Sequence, residues 1–454
     1  MATELRRLNF YRPAEEIFEY YKDEPMAAFL DSSLQNEMGC WSIIGLNPYL
    51  TLKEADGVCY CNGQAQDQPF EVLLQHYLDL YREENPSDLP LKAGAIGYLS
   101  YDFGRKYENI PTRHDKKLDV PEAIFAFYDL LILDDKENKL LYVTARGETE
   151  DADAAINRTE HDIRSCPTVS WPARHLQCAA FTPNFEKEDY KHAVDQVISY
   201  ITEGDIYIMN MTQQMVIDSK KSPYDVYRYL RTYNPAPFGG FFQYGDFQVV
   251  SASPERFMLV KDGVVETRPI KGTRKRGATP EEDAALRKEL EDSSKDHSEL
   301  LMIVDLERND LNHVCQPGSV QVTRHFAVEE YATVFHLVTT IVGQLKNGLP
   351  IMDLIEAAFP GGSITGAPKI RSMEIIDELE HDRRNLYTGS MGYFSLDGSC
   401  DLNIIIRTAV HKDGKYHLGV GGGITCESDL EFEYEETLQK AKVLLEAMRE
   451  EPNS

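Results

Sequence analysis

Three segments near the end of the chain, Gly389 to Leu396, Leu402 to His411 and Tyr416 to Val420, alternate or run apolar around Asp397-Gly398 and Asp413-Gly414 turns. They predict a β-meander whose last strand runs into Gly421-Gly422-Gly423, and a meander is antiparallel by construction. The helical segments stand apart from it. Tyr190, Val194, Val197, Ile198 and Ile201 share one helical face, with Gly204 placed as a C-cap. Thr279-Pro280-Glu281-Glu282 reads as an N-cap followed by proline at the first helical position, opening a helix pair over 280–311. Antiparallel strands with helices segregated between them predict an α+β fold and not a doubly wound parallel sheet.

The part up to about residue 165 reads as sheet with few long helical patterns. Its strands include Trp41 to Ile44, Gly94 to Tyr101, Ala123 to Leu133 and Lys139 to Ala145, the last two joined by a turn at Asp134 to Asn138. Cys166-Pro167-Thr168-Val169-Ser170-Trp171-Pro172 breaks the pattern as a linker. This divides the chain into a sheet-rich region, 1–165, and a second region, 180–454.

With 454 residues, 42% hydrophobic and 27% charged, the chain is long enough to bury one large core or two to three ordinary ones. A net charge of −28 argues against nucleic acid and anionic membrane as partners, since a polyanion is repelled before specific contacts form. The first residues lack an apolar run, and no stretch reaches the roughly 18 apolar residues of a membrane span, so a cytoplasmic location is expected. Eight cysteines lack any C-x-x-C pair and read as reduced, mostly structural thiols.

Residues that carry chemistry cluster in a few segments. Lys271, in Arg268-Pro269-Ile270-Lys271-Gly272-Thr273, lies on a short stiff stretch that either presents an amine as a nucleophile or is a plain surface turn. Glu433, Glu436 and Lys440 fall on one face of the closing helix, and Asp296 and Glu299 have the same i, i+3 spacing at the start of a buried helix. Four carboxylates from two helices suit one hard cation, and Mg²⁺ takes few direct carboxylates while keeping positions for a substrate anion. Pro254 stiffens the turn that aims Glu255, as a general acid or base or as a partner of Arg256. Gly361 to Lys369 fails as a phosphate loop because Ala367 follows its second glycine, yet its backbone amides, like those of Gly421 to Gly423, are open to a carboxylate. Arg407 interrupts an apolar strand, where a half-buried guanidinium needs an anion, structural or substrate.

These segments, with Gly94-Ala95-Ile96-Gly97-Tyr98, Tyr101-Asp102, Leu301 to Leu306, Arg308-Asn309-Asp310 and His336-Leu337-Val338, occur in the order in which they occur in the chorismate-utilising enzymes, which the chain resembles over nearly its whole length. The resemblance implies two large packed antiparallel sheets with helices outside, the two regions interleaving into one unit. It implies Mg²⁺ held by Glu299 and Glu436, with Glu433 and Asp296 in the outer shell. It places the ring carboxylate of chorismate on the metal and the other groups on Arg407, Tyr387, Thr365, Gly421, Gly422 and Lys440, the enolpyruvyl carboxylate chiefly on Arg407. Within the family the resemblance is to members that aminate ring carbon 4, giving 4-amino-4-deoxychorismate for p-aminobenzoate and folate, with Lys271 forming a covalent adduct, Glu255 as general acid, and Thr273 and His336 beside them. Members that form anthranilate carry Ala where Lys271 stands, and water-adding members carry a lysine where this chain has Ile208, itself a departure from the glutamine of the amine-adding members. Nothing resembles a glutaminase, so ammonia is expected from a separate glutamine amidotransferase subunit in a heterodimer. Leu30-Asp31-Ser32-Ser33 and Trp41 to Gly45 resemble a tryptophan pocket of the family, with Ser33, Ser42 and Pro237 as its residues. The competing expectations are an anthranilate-forming enzyme and a catalytically idle ligand sensor.

Overall fold

The computed structural model describes residues 2–330 and 334–450. Two long strands, Trp41–Ala55 and Ala123–Asp135, pair antiparallel from Trp41 opposite Asp135 to Glu54 opposite Ala123. Ala123–Asp135 is buried at every position, as its unbroken apolar run requires of a strand covered on both faces. This ribbon belongs to two sheets. From one end, hydrogen bonding passes through Ala28–Asp31, Phe238–Gln243, Phe247–Ser253, Thr408–Lys412 and Lys415–Ile424 to Ile208–Asp218. From the other end it passes through Gly94–Leu99, Ser390–Ser395, Cys400–Asn403, Arg256–Lys261 and Val264–Thr267 to Val334–Gln344, which also pairs with Ile270–Lys275. Each sheet joins strands from before the linker to strands from after it, at Ala28–Asp31 beside Phe238–Gln243 and at Gly94–Leu99 beside Ser390–Ser395.

Between the sheets lies a core that includes Ile43, Tyr98, Tyr128, Phe242, Val249 and Met391. Helices Ala14–Tyr21, Pro223–Tyr233 and Leu430–Ala447 cover one outer face, and Phe70–Leu80, Ser294–Val314, Ile351–Ala358 and Lys369–Leu379 cover the other. Each leucine-sized side chain buried in these layers contributes about 1.5–3 kcal/mol. Helix Lys187–Glu203 ends at Gly204 in the left-handed region (φ 88°), and the pair Pro280–Glu291 and Ser294–Val314 starts where Thr279 accepts a hydrogen bond from the amide of Glu282. Among the described residues no helix is long and apolar enough to cross a membrane.

Three expectations are corrected. The strand expected from Trp41 to Ile44 continues to Ala55 because the sheet absorbs Asn47 (φ 53°) and Pro48 in a register shift, where sequence alone reads a break. Helices Phe70–Leu80 and Ala152–Ser165 are present in the first region. The second buries only Ala155, Ile156, Thr159 and Ile163, too thin a stripe to stand out among polar neighbours. The strand expected over Leu402 to His411 is two strands, Cys400–Asn403 in one sheet and Thr408–Lys412 in the other. The chain switches sheets between them, and Arg407 takes a left-handed backbone (φ 51°) to make the switch.

Candidate active site

A cavity of about 650 Å³ opens where the ends of several elements meet: strand Ile270–Lys275, the first turns of helix Ser294–Val314, the 3₁₀ turn Gly362–Ile364, the sheet switch at Arg407, strand Lys415–Ile424 and helix Leu430–Ala447. The glycine run clears space for it. A Cβ on Gly422 would stand 2.7 Å from Glu436 Oε2 and 3.2 Å from Glu433 Oε2, and one on Gly423 would stand 3.0 Å from Lys271 Nζ. Side chains there would fill the space the charged groups occupy.

Lys271 sits in the bulge of its strand, where the register shifts between Ile270 and Thr273 and Gly272 takes φ 78°. Its Nζ donates to the carbonyl of Ser363 at 3.2 Å. The Ser363 hydroxyl and the Ile270 amide bond to Glu255, whose carboxyl is pushed above its ordinary range by burial, against the pull of Lys271 and Lys440. Arg256 does not partner Glu255; it pairs with Asp401 (2.9 Å) and Glu266 (3.2 Å), so the turn leaves Glu255 facing the cavity. Opposite Thr273 across the strand pair stands His336, with Oγ1 to Nδ1 at 2.9 Å. Burial and the nearby Arg407 lower the His336 pKa to about 4, so the ring is neutral at physiological pH.

Arg407 is one of the cations the cavity leaves open. One of its guanidinium nitrogens donates to the carbonyl of Lys440 at 2.9 Å, and among the described residues no carboxylate lies within ion-pair distance of it. Lys440 bridges the Gly421 carbonyl (2.8 Å) and Glu436 (3.0 Å), with burial lowering its pKa. Tyr387 lies over Gly419, where a Cβ would come within 2.2 Å of its ring, and so walls the cavity beside Gly421 and Gly422.

The four carboxylates expected to serve a metal all line this cavity. Burial raises the pKa of Glu299, Lys271 and Lys295 oppose the rise, and Asp296 and Glu436 add to it. Glu433 is also raised by burial and accepts a hydrogen bond from Ser428 at 2.7 Å. Arg274 donates to Asp296 at 3.0 Å. An all-oxygen donor set of like charges matches a hard cation in chemistry. Among the described residues, however, no group of three or more His, Cys, Asp or Glu side chains is drawn together tightly enough to hold a metal ion; Lys440 and Arg274 occupy two of the donors.

Thr365 is not on the cavity wall. It is buried behind it, its hydroxyl donating to the Gly361 carbonyl at 2.9 Å and its carbonyl accepting from Asn210. In the same loop the sequence reading passes over Ser363, the residue that reaches both Lys271 and Glu255, because a lone serine among glycines carries no spacing signal. Ile208 is buried with its side-chain end 3.5 Å from the Cβ position of Gly423, so an apolar group stands close to Lys271.

A second cavity of about 570 Å³ is lined by Asp31, Ser32, Pro237, Phe238, Arg256 and Tyr393, among others. Pro237 faces it, but Ser33 and Ser42 do not. The Ser33 hydroxyl is exchanged with the backbone of Ala236, and Ser42 donates to Asp31 at 2.8 Å. Asp31 also receives Lys136 (2.8 Å), Tyr227 (2.6 Å) and Arg231 (2.8 Å). Burial pushes the Asp31 carboxyl up, but Arg231 and Lys136 more than offset it and hold it well below the usual range.

The family model described as "chorismate binding enzyme" matches residues 30–446. The chain belongs to the chorismate-binding enzyme family. Against the aminodeoxychorismate synthase component 1 of Bacillus subtilis, this chorismate-binding enzyme is 36% identical over 96% of its own length and 97% of the relative's. Against the anthranilate synthase component 1 of Cereibacter sphaeroides it is 37% identical, over 90% and 86%. The solved structure of anthranilate synthase component I from Streptococcus pneumoniae superposes with a TM-score of 0.81 at 32% identity, over 91% of this chain and 93% of that one. The fold is that of the chorismate-utilising enzymes. Relatives of the two kinds stand at nearly equal identity, so the choice of reaction turns on individual residues of the cavity.

Proposed function

We propose that this chorismate-binding enzyme aminates chorismate at ring carbon 4, giving 4-amino-4-deoxychorismate, a step toward p-aminobenzoate and folate, with ammonia supplied by a separate glutamine amidotransferase subunit. The observation that carries the reading is Lys271: where the anthranilate-forming members have Ala, its amine reaches the cavity beside Glu255, whose carboxyl burial pushes above its ordinary range. Lys271 Nζ forms a bond to ring carbon 2 as the carbon 4–oxygen bond breaks, and the hydroxyl leaves as water with the proton of Glu255. Ammonia then bonds to carbon 4 and the Lys271 nitrogen departs from carbon 2. The protons shed by the two attacking nitrogens restore Glu255 and the lysine, so the net change is ammonia in and water out. Arg407 takes the enolpyruvyl carboxylate, the anion its own surroundings lack. Neutral His336 and Thr273 orient the groups beside the adduct. Glu299 and Glu436 would hold Mg²⁺, with Glu433 and Asp296 outside them; the ion, when bound, offsets the ring carboxylate's charge. Ile208 leaves no base for water beside Lys271, in keeping with nitrogen as the nucleophile.

The test is to incubate the chain with chorismate, Mg²⁺ and ammonium, and then with glutamine and an amidotransferase, identifying the product by chromatography and mass. Formation of 4-amino-4-deoxychorismate that is lost in Lys271→Ala supports the reading. Anthranilate as product moves the enzyme to the other reaction of its relatives, and absence of turnover in the presence of metal favours a ligand sensor.

A further inference from the structure

The mechanism above makes no use of Asn210, on strand Ile208–Asp218, although it lines the active-site cavity. We propose that Asn210 is a further catalytic residue: its side-chain oxygen accepts a hydrogen bond from ammonia and turns the nitrogen lone pair toward the substrate ring. This deepens the proposed function and rests on its reading that nitrogen is the nucleophile in this cavity.

Asn210 is only 8 % exposed, and what remains accessible faces the cavity. Its backbone is pinned at both polar atoms: the amide donates to the Thr365 carbonyl at 2.8 Å, and Arg384 donates to the Asn210 carbonyl at 2.6 Å. Arg384 is itself buried and held by Glu380 at 2.6 Å, so the residue has a fixed place in the wall. The side chain is unspent. Among the described residues neither carboxamide atom of Asn210 has a hydrogen-bond partner. Ser363, Thr273 and Ser293, also neutral and on the wall, are committed within the chain: to Glu255, to His336 at 2.9 Å, and to the amide of Asp296 at 3.2 Å. A buried amide without a partner is costly, so the cavity side has to supply one.

The place is beside Lys271. Asn210 pairs directly opposite Gly423, and directly opposed residues of an antiparallel pair carry their Cβ positions on one face, about 4.5–5.5 Å apart. A Cβ on Gly423 would stand 3.0 Å from Lys271 Nζ, so the missing side chain leaves a gap bounded by Asn210 and the lysine amine. Ile208, two residues earlier on the same face of the strand, closes the gap with a methyl group 3.5 Å from that position. Ring carbons 2 and 4 are separated by one ring atom, so a nucleophile meant for carbon 4 has to wait close to the lysine bonded to carbon 2. A carboxamide is uncharged and offers one acceptor oxygen and two N–H donors. Ammonia attacks with a lone pair it already has, and needs its N–H bonds held, not broken beforehand. Water in the same gap would need a base, which neither Asn210 nor Ile208 is. In the step itself the lone pair forms the bond to carbon 4 and the Lys271 nitrogen leaves carbon 2 with its electron pair. The proton that the new amine sheds goes to the groups named above, and Asn210 stays neutral throughout.

The experiment is steady-state amination of chorismate, whichever ring carbon receives nitrogen, for wild type and Asn210→Leu, which keeps the bulk and loses the oxygen. Free ammonia is varied at saturating chorismate, and chorismate at saturating ammonia. The variant is expected to lose about tenfold or more in kcat/KM for ammonia, while KM for chorismate stays within about twofold. Its melting temperature is expected within about 2 °C of wild type, because the carboxamide has no partner in the chain to lose. An unchanged dependence on ammonia overturns the proposal. So does a rise in KM for chorismate as large as the loss on ammonia, which would put Asn210 on the substrate, and so does a loss of activity that follows a loss of melting temperature. Should the leucine variant fail to fold, Asn210→Ala, which adds no bulk to the gap, is judged on the same readouts. Wild type alone decides the reading beneath: a wild type that takes up no nitrogen overturns both the proposed function and this role, whereas a wild type that aminates beside an indifferent Asn210→Leu overturns this role only.

Discussion

Asp31 is a buried charge and Arg407 a half-buried one, both at strand ends, and they differ in whether their opposites are present. Asp31 receives Lys136, Arg231, Tyr227 and Ser42, so its charge is spent within the chain. Arg407 has a backbone carbonyl and, among the described residues, no carboxylate within ion-pair distance, and the cavity in front of it gathers Lys271, Glu255 and further acids, Asp296, Glu299, Glu433 and Glu436 among them, whose charges are unevenly matched. A closed set of charges fixes structure, because removing one member strands the others in a low dielectric. An open set awaits a ligand. Chorismate, a dicarboxylate whose amination passes through proton transfers, is the kind of molecule such a set can take.

The sharpest way to break the comparison is to exchange the consequences. Lys271→Ala is expected to reduce amination by about a thousandfold or more, on the order of 4 kcal/mol of barrier, with the melting temperature close to wild type; an equal loss of stability would make Lys271 a structural residue. Asp31→Ala is expected to do the opposite. It leaves the buried Lys136 without its carboxylate and Arg231 with Glu15 as its remaining acid, costs about 3–5 kcal/mol in a denaturant titration, and spares turnover per folded molecule. A stable Asp31→Ala protein with altered turnover would make the second cavity part of the catalytic apparatus.

Much of the open set was legible in the sequence. The i, i+3 carboxylates, the proline-stiffened Glu255 turn and the Lys271 segment are local patterns, and helix or strand periodicity alone puts such residues on a common face. The meander and the Gly204 and Thr279 caps are local too. What sequence does not carry is which distant segments meet. Asp31 is closed by residues 105, 196 and 200 positions away, so Ser33 and Ser42 pass for pocket residues until those partners are in place. The break at Arg407 is hidden because Ile404-Ile405-Ile406 has the composition of an uninterrupted strand; only the demands of two different sheets force the left-handed turn. Thr365 is drawn behind the wall by a bond to Gly361 within its own loop, a choice between local partners that composition leaves open.

Smaller effects sharpen the same contrast. If Arg407 anchors a substrate carboxylate as proposed, Arg407→Ala is expected to raise KM for chorismate roughly thirtyfold, about 2 kcal/mol, in steady-state kinetics. Because among the described residues no carboxylate lies within ion-pair distance of Arg407, thermal stability should hold or rise, and a loss comparable to that of Asp31→Ala would mean that the open set is closed by contacts within the protein.

The smallest expected effect belongs to His336, which is paired like Asp31 yet borders the open cavity. Its folded-state pKa of about 4 lies below the ordinary 6.5, so the unfolded chain binds the proton first as pH falls. The stability gained from burying a neutral ring is therefore fully present above about pH 6.5 and is lost progressively as pH drops toward about 4. His336→Gln keeps a polar partner for Thr273 but cannot take up the proton, so wild type should lose ground to it, by on the order of 1–3 kcal/mol, between those limits and run parallel to it above them. Parallel curves throughout would place the ring in water on the substrate side of the wall. The converging curves would make it part of the closed framework that holds Thr273 in position, with the neutral ring presenting no charge to compete with Arg407 for the substrate's carboxylate.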